Sequence, residues 1–161
     1  MNLQIKVDDL SDPRIAEFLG EHLKDMYATS PPESVHALDI EGLKKPEITF
    51  WTAWDGANLV GTAAIKHLNA EHAELKSMRT APSYRRNGIA AAMLQFIVNE
   101  ARRRGYKRMS LETGSMAYFE PARTLYSRYG FEFCGPFADY WDDPNSKFMT
   151  RSLSEEEGRA A

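Results

Sequence analysis

The chain has 161 residues, 43% of them apolar, and a formal net charge of -3, which is the size of one domain and the composition of an ordinary globular protein, outside the disordered and fibrous classes. The acidic balance gives no reason to expect a nucleic-acid partner, and the longest apolar runs, such as IAAAML at 89–94, are far too short to cross a bilayer. The single cysteine, Cys134, excludes an intramolecular disulfide, and MNLQIKVDDL at 1–10 lacks the basic, apolar and small-residue succession of a secretory signal, so the expectation is a cytoplasmic protein with no membrane association.

In chain order, Ile5 and Val7 alternate with polar neighbours in QIKV at 4–7, the pattern of a short strand. Asp12 followed by Pro13 reads as an N-cap and first helical position, and Ile15, Phe18, Leu19, Leu23 and Met26 fall on one face of the ensuing helix. The prolines of SPPESVHALD at 30–39 interrupt regularity before a short second helix, a place suited to a substrate loop. ITFWTAW at 48–54 and LVGTAAI at 59–65 flank the turn DGAN, and a further strand from Ala73 to Thr80 extends this hairpin into an antiparallel meander. The period then changes from two to 3.6. Ile89, Ala92, Met93, Phe96, Ile97 and Ala101 make a helical face, Arg102, Arg103 and Arg104 match the helix dipole at its end, and Gly105 stops it. A strand KRMSLET at 107–113, a helix from Pro121 to Tyr129 closed by Gly130, and strands near 131–135 and 148–153 complete one mixed α/β domain over residues 1–153. The polar stretch 154–161 reads as a frayed tail, and Cys134, following FEF, as a small buried apolar residue.

Chemistry concentrates between the strand ending near Thr80 and the helix beginning near Gly88. In TAPSYRRNGIAAAML, Arg85, Gly88 and Ala90 have the spacing R-x-x-G-x-A. Small residues there let the backbone approach an anion closely, and the unpaired amides and positive dipole of a helix start face it. A pyrophosphate suits such a loop. The competing nucleotide signatures, G-x-G-x-x-G after a strand and G-x-x-x-x-G-K-[ST], are absent. His22, His36, His67 and His72 show no ligand spacing such as H-E-x-x-H, so no metal is expected.

ELKSMRTAPSYRRNGIAAAML at 74–94 followed by PARTLYSRYGF at 121–131 resembles the GNAT superfamily of acetyl-CoA-dependent N-acyltransferases, and the order of elements matches from about residue 3 to 153. The resemblance implies a mostly antiparallel sheet flanked by helices, with two central strands splayed so that the pantetheine arm of acetyl-CoA enters between them. It implies that the backbone of Met78, Arg79 and Thr80 lies along that arm, and that Arg85, Arg86, Asn87, Gly88, Ile89, Ala90 and Ala91 hold the pyrophosphate, mainly through backbone N–H groups. It also implies that Tyr126, four residues before Gly130-Phe131, protonates the leaving thiolate, and that Glu74, through a water, receives the proton of the acceptor amine, with Glu112 as second choice. Phe119 stands where many members carry Asn. By spacing alone Tyr126 reads equally as packing beside Ala122, Leu125 and Tyr129, and either glutamate as a solvated or ion-paired strand residue.

The reaction so implied is transfer of an acetyl group to a primary amine, which must lose a proton before it attacks, because an alkyl ammonium titrates near 10.4 or so. Segments 30–43 and 138–147 are suited to lidding a pocket for a small-molecule amine. A protein lysine or terminal amine as acceptor, a noncatalytic CoA-binding module, and a homodimer paired through the last strand and its hairpin all stay open.

Overall fold

The computed structural model describes residues 2–35 and 38–154, so His36 and the polar tail beyond Ser154 lie outside the described residues. The chain opens with strand β1 (Leu3–Val7) and helix α1 (Pro13–Thr29), whose first turn is held by the Asp12 carboxylate accepting from the Arg14 N–H at 2.9 Å. A 3-10 turn at Pro32–Ser34 and a single helical turn, α2 (Ile40–Leu43), follow. Strands β2 (Ile48–Asp55) and β3 (Asn58–His67) form a hairpin closed through Gly56 at φ 59°, a conformation that a two-residue hairpin loop requires of its first residue. Strand β4 (His72–Thr80) completes the meander. Helix α3 (Ile89–Arg103), strand β5 (Arg108–Gly114), helix α4 (Glu120–Arg128) and strands β6 (Glu132–Cys134) and β7 (Ser146–Ser152) make up the second half.

The strands lie in one seven-stranded sheet in the order β1-β2-β3-β4-β5-β7-β6, antiparallel throughout except between β4 and β5. Helices cover both faces. Ile15, Leu19 and Leu43 pack with Phe50 and Ala64 on one side, and Ile89, Met93, Leu94, Ile97 and Val98 pack with Trp51, Ala63, Ile65 and Met109 on the other. A sheet covered on both faces buries successive residues of its central strands, and β2 and β3 are accordingly buried almost without alternation.

One junction positions everything that follows. Parallel β4 and β5 pair only at His72–Arg108, Ala73–Met109 and Glu74–Ser110, and beyond these residues the strands diverge. Past the junction β4 is carried by β3 and β5 by β7. A β-bulge interrupts the β3–β4 register, where Ser77 takes φ 55° and its carbonyl accepts from the Thr62 hydroxyl at 2.8 Å. Bulges turn the local backbone out of the ladder, and Ser77 of this one borders the opening.

Two expectations need correction. Cys134 is exposed, because β6 is a short edge strand with all three residues open to solvent. On α3, Leu94 and Val98 are buried whereas Ala92 faces solvent, so the inward face is rotated from the one expected.

Candidate active site

The divergence of β4 and β5 opens a cleft with two connected compartments. The larger, about 300 Å³, runs from the start of α3 past Thr80, Arg79 and Met78 and is walled by Tyr118, Phe119, Ala122, Leu125 and Tyr126. The smaller, about 110 Å³, is lined by Glu74, Lys76, Met78, Glu112, Phe119 and Tyr126. His22 and Met26 of α1 border both.

At the outer end, Gly88 caps α3 in the left-handed region, φ 78°, and no side chain hydrogen-bonds the first turn, so its amides are open to a ligand. No protein atom lies within 4 Å of a Cβ added at Gly88, so backbone conformation, not crowding within the protein, requires glycine there. Arg86 is also left-handed, φ 69°. Arg85 and Arg86 are exposed and paired with no carboxylate among the described residues. The loop is fixed by the Ala81 N–H donating to Val60 at 2.8 Å and by the Tyr84 hydroxyl donating to Asp55 at 3.3 Å. Of the residues expected at the donor end, Met78, Arg79, Thr80, Arg85 and Ala90 line the larger compartment. Arg86, Asn87, Gly88 and Ala91 sit beside it, and the Ile89 side chain is instead buried under Gly61, anchoring the helix start in the core. The Arg79 side chain turns away to α1, bonded to Asp25 at 2.9 Å and lying over the Phe18 ring.

At the inner end, Glu74 is 2% exposed and its Oε2 accepts from Lys76 Nζ at 3.2 Å and from the Tyr140 hydroxyl. Among the described residues Oε1 has no hydrogen-bond partner. Among the described residues Arg79 Nε is the sole side-chain nitrogen or oxygen both sealed from solvent and without a partner, so Glu74 Oε1 and the Tyr126 hydroxyl, which also lacks a partner, open onto the cleft. The Tyr126 ring is 7% exposed and packs edge-on against Phe131, and burial pushes its phenol pKa up, keeping the hydroxyl protonated. Glu112 accepts from the Ser146 hydroxyl at 2.7 Å. Phe119 packs so closely on Gly114 that a Cβ there would fall 2.1 Å from its ring. Among the described residues no group of three or more His, Cys, Asp or Glu is arranged to hold a metal ion, and no helix is long and apolar enough to cross a membrane.

Three residues of this site escaped the sequence reading. His22 is one helical turn from Met26 on the inward face of α1, and desolvation, aided by nearby Arg79, pushes its pKa down to about 4. Lys76 stands two residues from Glu74 and therefore on the same face of β4, a signal available from strand period alone. Tyr140 comes from the loop after β6, within the 138–147 segment suited to lidding the pocket, but nothing in its spacing tied it to Glu74.

The structure thus has a cleft between splayed strands with a bare helix start at one end and a buried carboxylate at the other, and the comparison with known sequences decides the family. A sequence model of the Acetyltransferase (GNAT) family matches residues 15–131. The chain belongs to the GNAT family of acetyltransferases. Over 151 residues this GNAT enzyme is 56% identical to the uncharacterized N-acetyltransferase YsnE of Bacillus subtilis (strain 168), a match covering 94% of this chain and 100% of the relative. It is 47% identical over 151 residues to the uncharacterized N-acetyltransferase YedL of Escherichia coli (strain K12), covering 94% and 95% of the two chains. Its fold is similar to the crystal structure of an acetyltransferase from Streptococcus agalactiae, with a TM-score of 0.73 over 93% of this chain and 98% of that one at 20% identity. The mixed, mostly antiparallel sheet with helices on both faces is thus the GNAT fold, and the protein is an acyltransferase.

Proposed function

We propose that this acetyltransferase moves an acetyl group from acetyl-CoA to the primary amine of a small molecule by direct attack on the thioester. The observation that carries the reading is the continuity of the cleft from the uncapped start of α3, along the free edge of β4, to a narrow chamber containing Glu74. The residues fit the donor. Open amides at Gly88–Ala91 with Arg85 and Arg86, which pair with no carboxylate among the described residues, suit a pyrophosphate, and the edge of Met78–Thr80 that faces away from β3 suits an extended amide-bearing arm.

Glu74 Oε1, open to the chamber, takes the proton of the acceptor ammonium through a water. A backbone N–H at the bulge by Met78 stabilises the charge that develops on the thioester oxygen. Tyr126 offers its protonated hydroxyl to the sulfur as the carbon–sulfur bond breaks. Chamber size and loop contacts favour a small acceptor over a peptide: the 3-10 turn and the loop after β6 are joined by the Ser34 hydroxyl donating to Asp143 at 2.6 Å, and Tyr140 of that loop reaches Glu74.

Release of free CoA thiol, measured over a panel of amino acids, polyamines, aminoglycosides and short peptides, tests the proposal. Turnover of a small amine is the expected result, a preference for peptides would sink the small-acceptor reading, and uniform inactivity with intact acetyl-CoA binding would make this a binding module. Tyr126→Phe is expected to lower kcat and kcat/KM together by about tenfold to a few hundredfold with the KM for acetyl-CoA unchanged. Retention of more than about half of wild-type kcat in single-turnover measurements would leave Tyr126 as a packing residue.

A further inference from the structure

The buried carboxylate of Glu74 is held by Lys76, which also lines the acceptor chamber, and by Tyr140, which does not. Tyr140 donates its hydroxyl proton to Oε2 and accepts from Lys76 Nζ at 2.9 Å, and Lys76 in turn bonds the same oxygen and lies over the Tyr140 ring, 5.6 Å from its centroid. With Oε2 occupied twice, Oε1 is the oxygen left facing the chamber. The Tyr140 ring is fixed by Phe137, centroids 5.1 Å apart, and by Phe148 of β7 at 5.5 Å. Burial and the neighbouring carboxylates of Glu74 and Glu112 push its phenol pKa upward, so it stays a donor. The loop that carries Tyr140 is fastened at its far end by Ser34–Asp143 and by the Ser115 hydroxyl donating to the Pro144 carbonyl at 2.7 Å.

We infer that Tyr140 is the positioning residue of this acetyltransferase: it fixes the Glu74 carboxylate with Oε2 saturated and Oε1 presented to the acceptor, and it makes base geometry depend on the loop after β6 being seated. The inference rests on Glu74 as the base. A hydroxyl donating to a carboxylate favours its ionised form, so removing the donor makes the carboxylate hold its proton to higher pH. Among the described residues, the charged and titratable groups around Glu74 are Lys76 and His72 on its own strand, Glu112 on β5, Tyr140 on the loop and His22 across the chamber on α1. Tyr140→Phe alters one of these and keeps the ring packing.

The direct test is the carboxyl titration of Glu74 in protein labelled with 13C-glutamate, its signal assigned by its loss in Glu74→Gln. In Tyr140→Phe the midpoint is expected to move upward by about one pH unit. The acid limb of kcat should move by the same amount, with kcat reduced roughly tenfold and the KM for acetyl-CoA unchanged. Ser34→Ala, which leaves Tyr140 and Glu74 intact and only loosens the loop, is expected to shift the midpoint in the same direction by less, and it serves should thermal melts show Tyr140→Phe to be unfolded. An unmoved midpoint in a folded Tyr140→Phe, or in Ser34→Ala should that be the only folded variant, overturns the inference. The base reading fails separately: a Glu74→Gln enzyme that keeps its kcat and acid limb removes Glu74 as base, and Tyr140 as its positioner with it, even where the titration shifts.

Discussion

An imidazole at the junction of the two compartments has to remain neutral to stay where it is. His22 titrates near 4 in the folded chain against an ordinary value of 6.5, chiefly because charging it there forfeits hydration. Between those two values the unfolded chain binds a proton that the folded chain refuses. Stability is therefore complete above the upper value and is lost as pH falls through the window, by on the order of 2 kcal/mol at about pH 5. Thermal melts near pH 7 and pH 5 should show His22→Gln losing less stability than the wild type; equal losses would place the acid sensitivity in another group. Residues of the site differed in how far they could be read in advance. Glu74 and Tyr126 came from their places in the two motif blocks, and His22 and Lys76 were within reach of helical and strand periods. Tyr140 lies 66 residues from Glu74, and only the closing of the loop after β6 over the sheet joins them.

The junction between β4 and α3 shows what an element can require of one residue. Gly88 starts α3 from φ 78° with open space where a side chain would be, so Gly88→Ala disturbs the backbone alone, at a cost of about 1–2 kcal/mol for a left-handed non-glycine residue. Part of that strain is relieved by turning the first amides of the helix. Calorimetry should then show acetyl-CoA binding weakened by roughly five- to twentyfold, whereas Gly135→Ala, also in open space but without a left-handed φ, should bind as the wild type does. An unchanged dissociation constant in Gly88→Ala would put the pyrophosphate elsewhere. Helix α3 was legible because its apolar period, its arginine-rich end and two glycines agree. Strand β6 was legible as a strand but not as an edge: Phe133 looks like core by composition yet is 59% exposed, since alternation cannot say which strand has a neighbour on only one side. The bulge at Ser77 left no mark in composition at all.

At the scale of the molecule, the order of strands and helices followed from period changes along the chain, and the splay of β4 from β5 was expected only through the resemblance, because nothing in either strand's composition stops their pairing. With three residue pairs joining them, these strands divide the sheet into β1–β4 and β5–β7, each hydrogen-bonded within itself. Amide exchange should register that division as a seam. N–H groups on the free edge of β4 beyond Glu74 should exchange with deuterium far faster than their neighbours bonded to β3, a comb of fast and slow positions along one strand. Saturating acetyl-CoA should slow the fast positions selectively. Uniform protection along β4 without ligand, or a comb that acetyl-CoA leaves unchanged, would mean that the arm of the donor does not lie there. A sheet of this kind carries a vacant place in its own hydrogen-bond ladder, so that taking up the donor is, for the backbone, the last step of sheet formation.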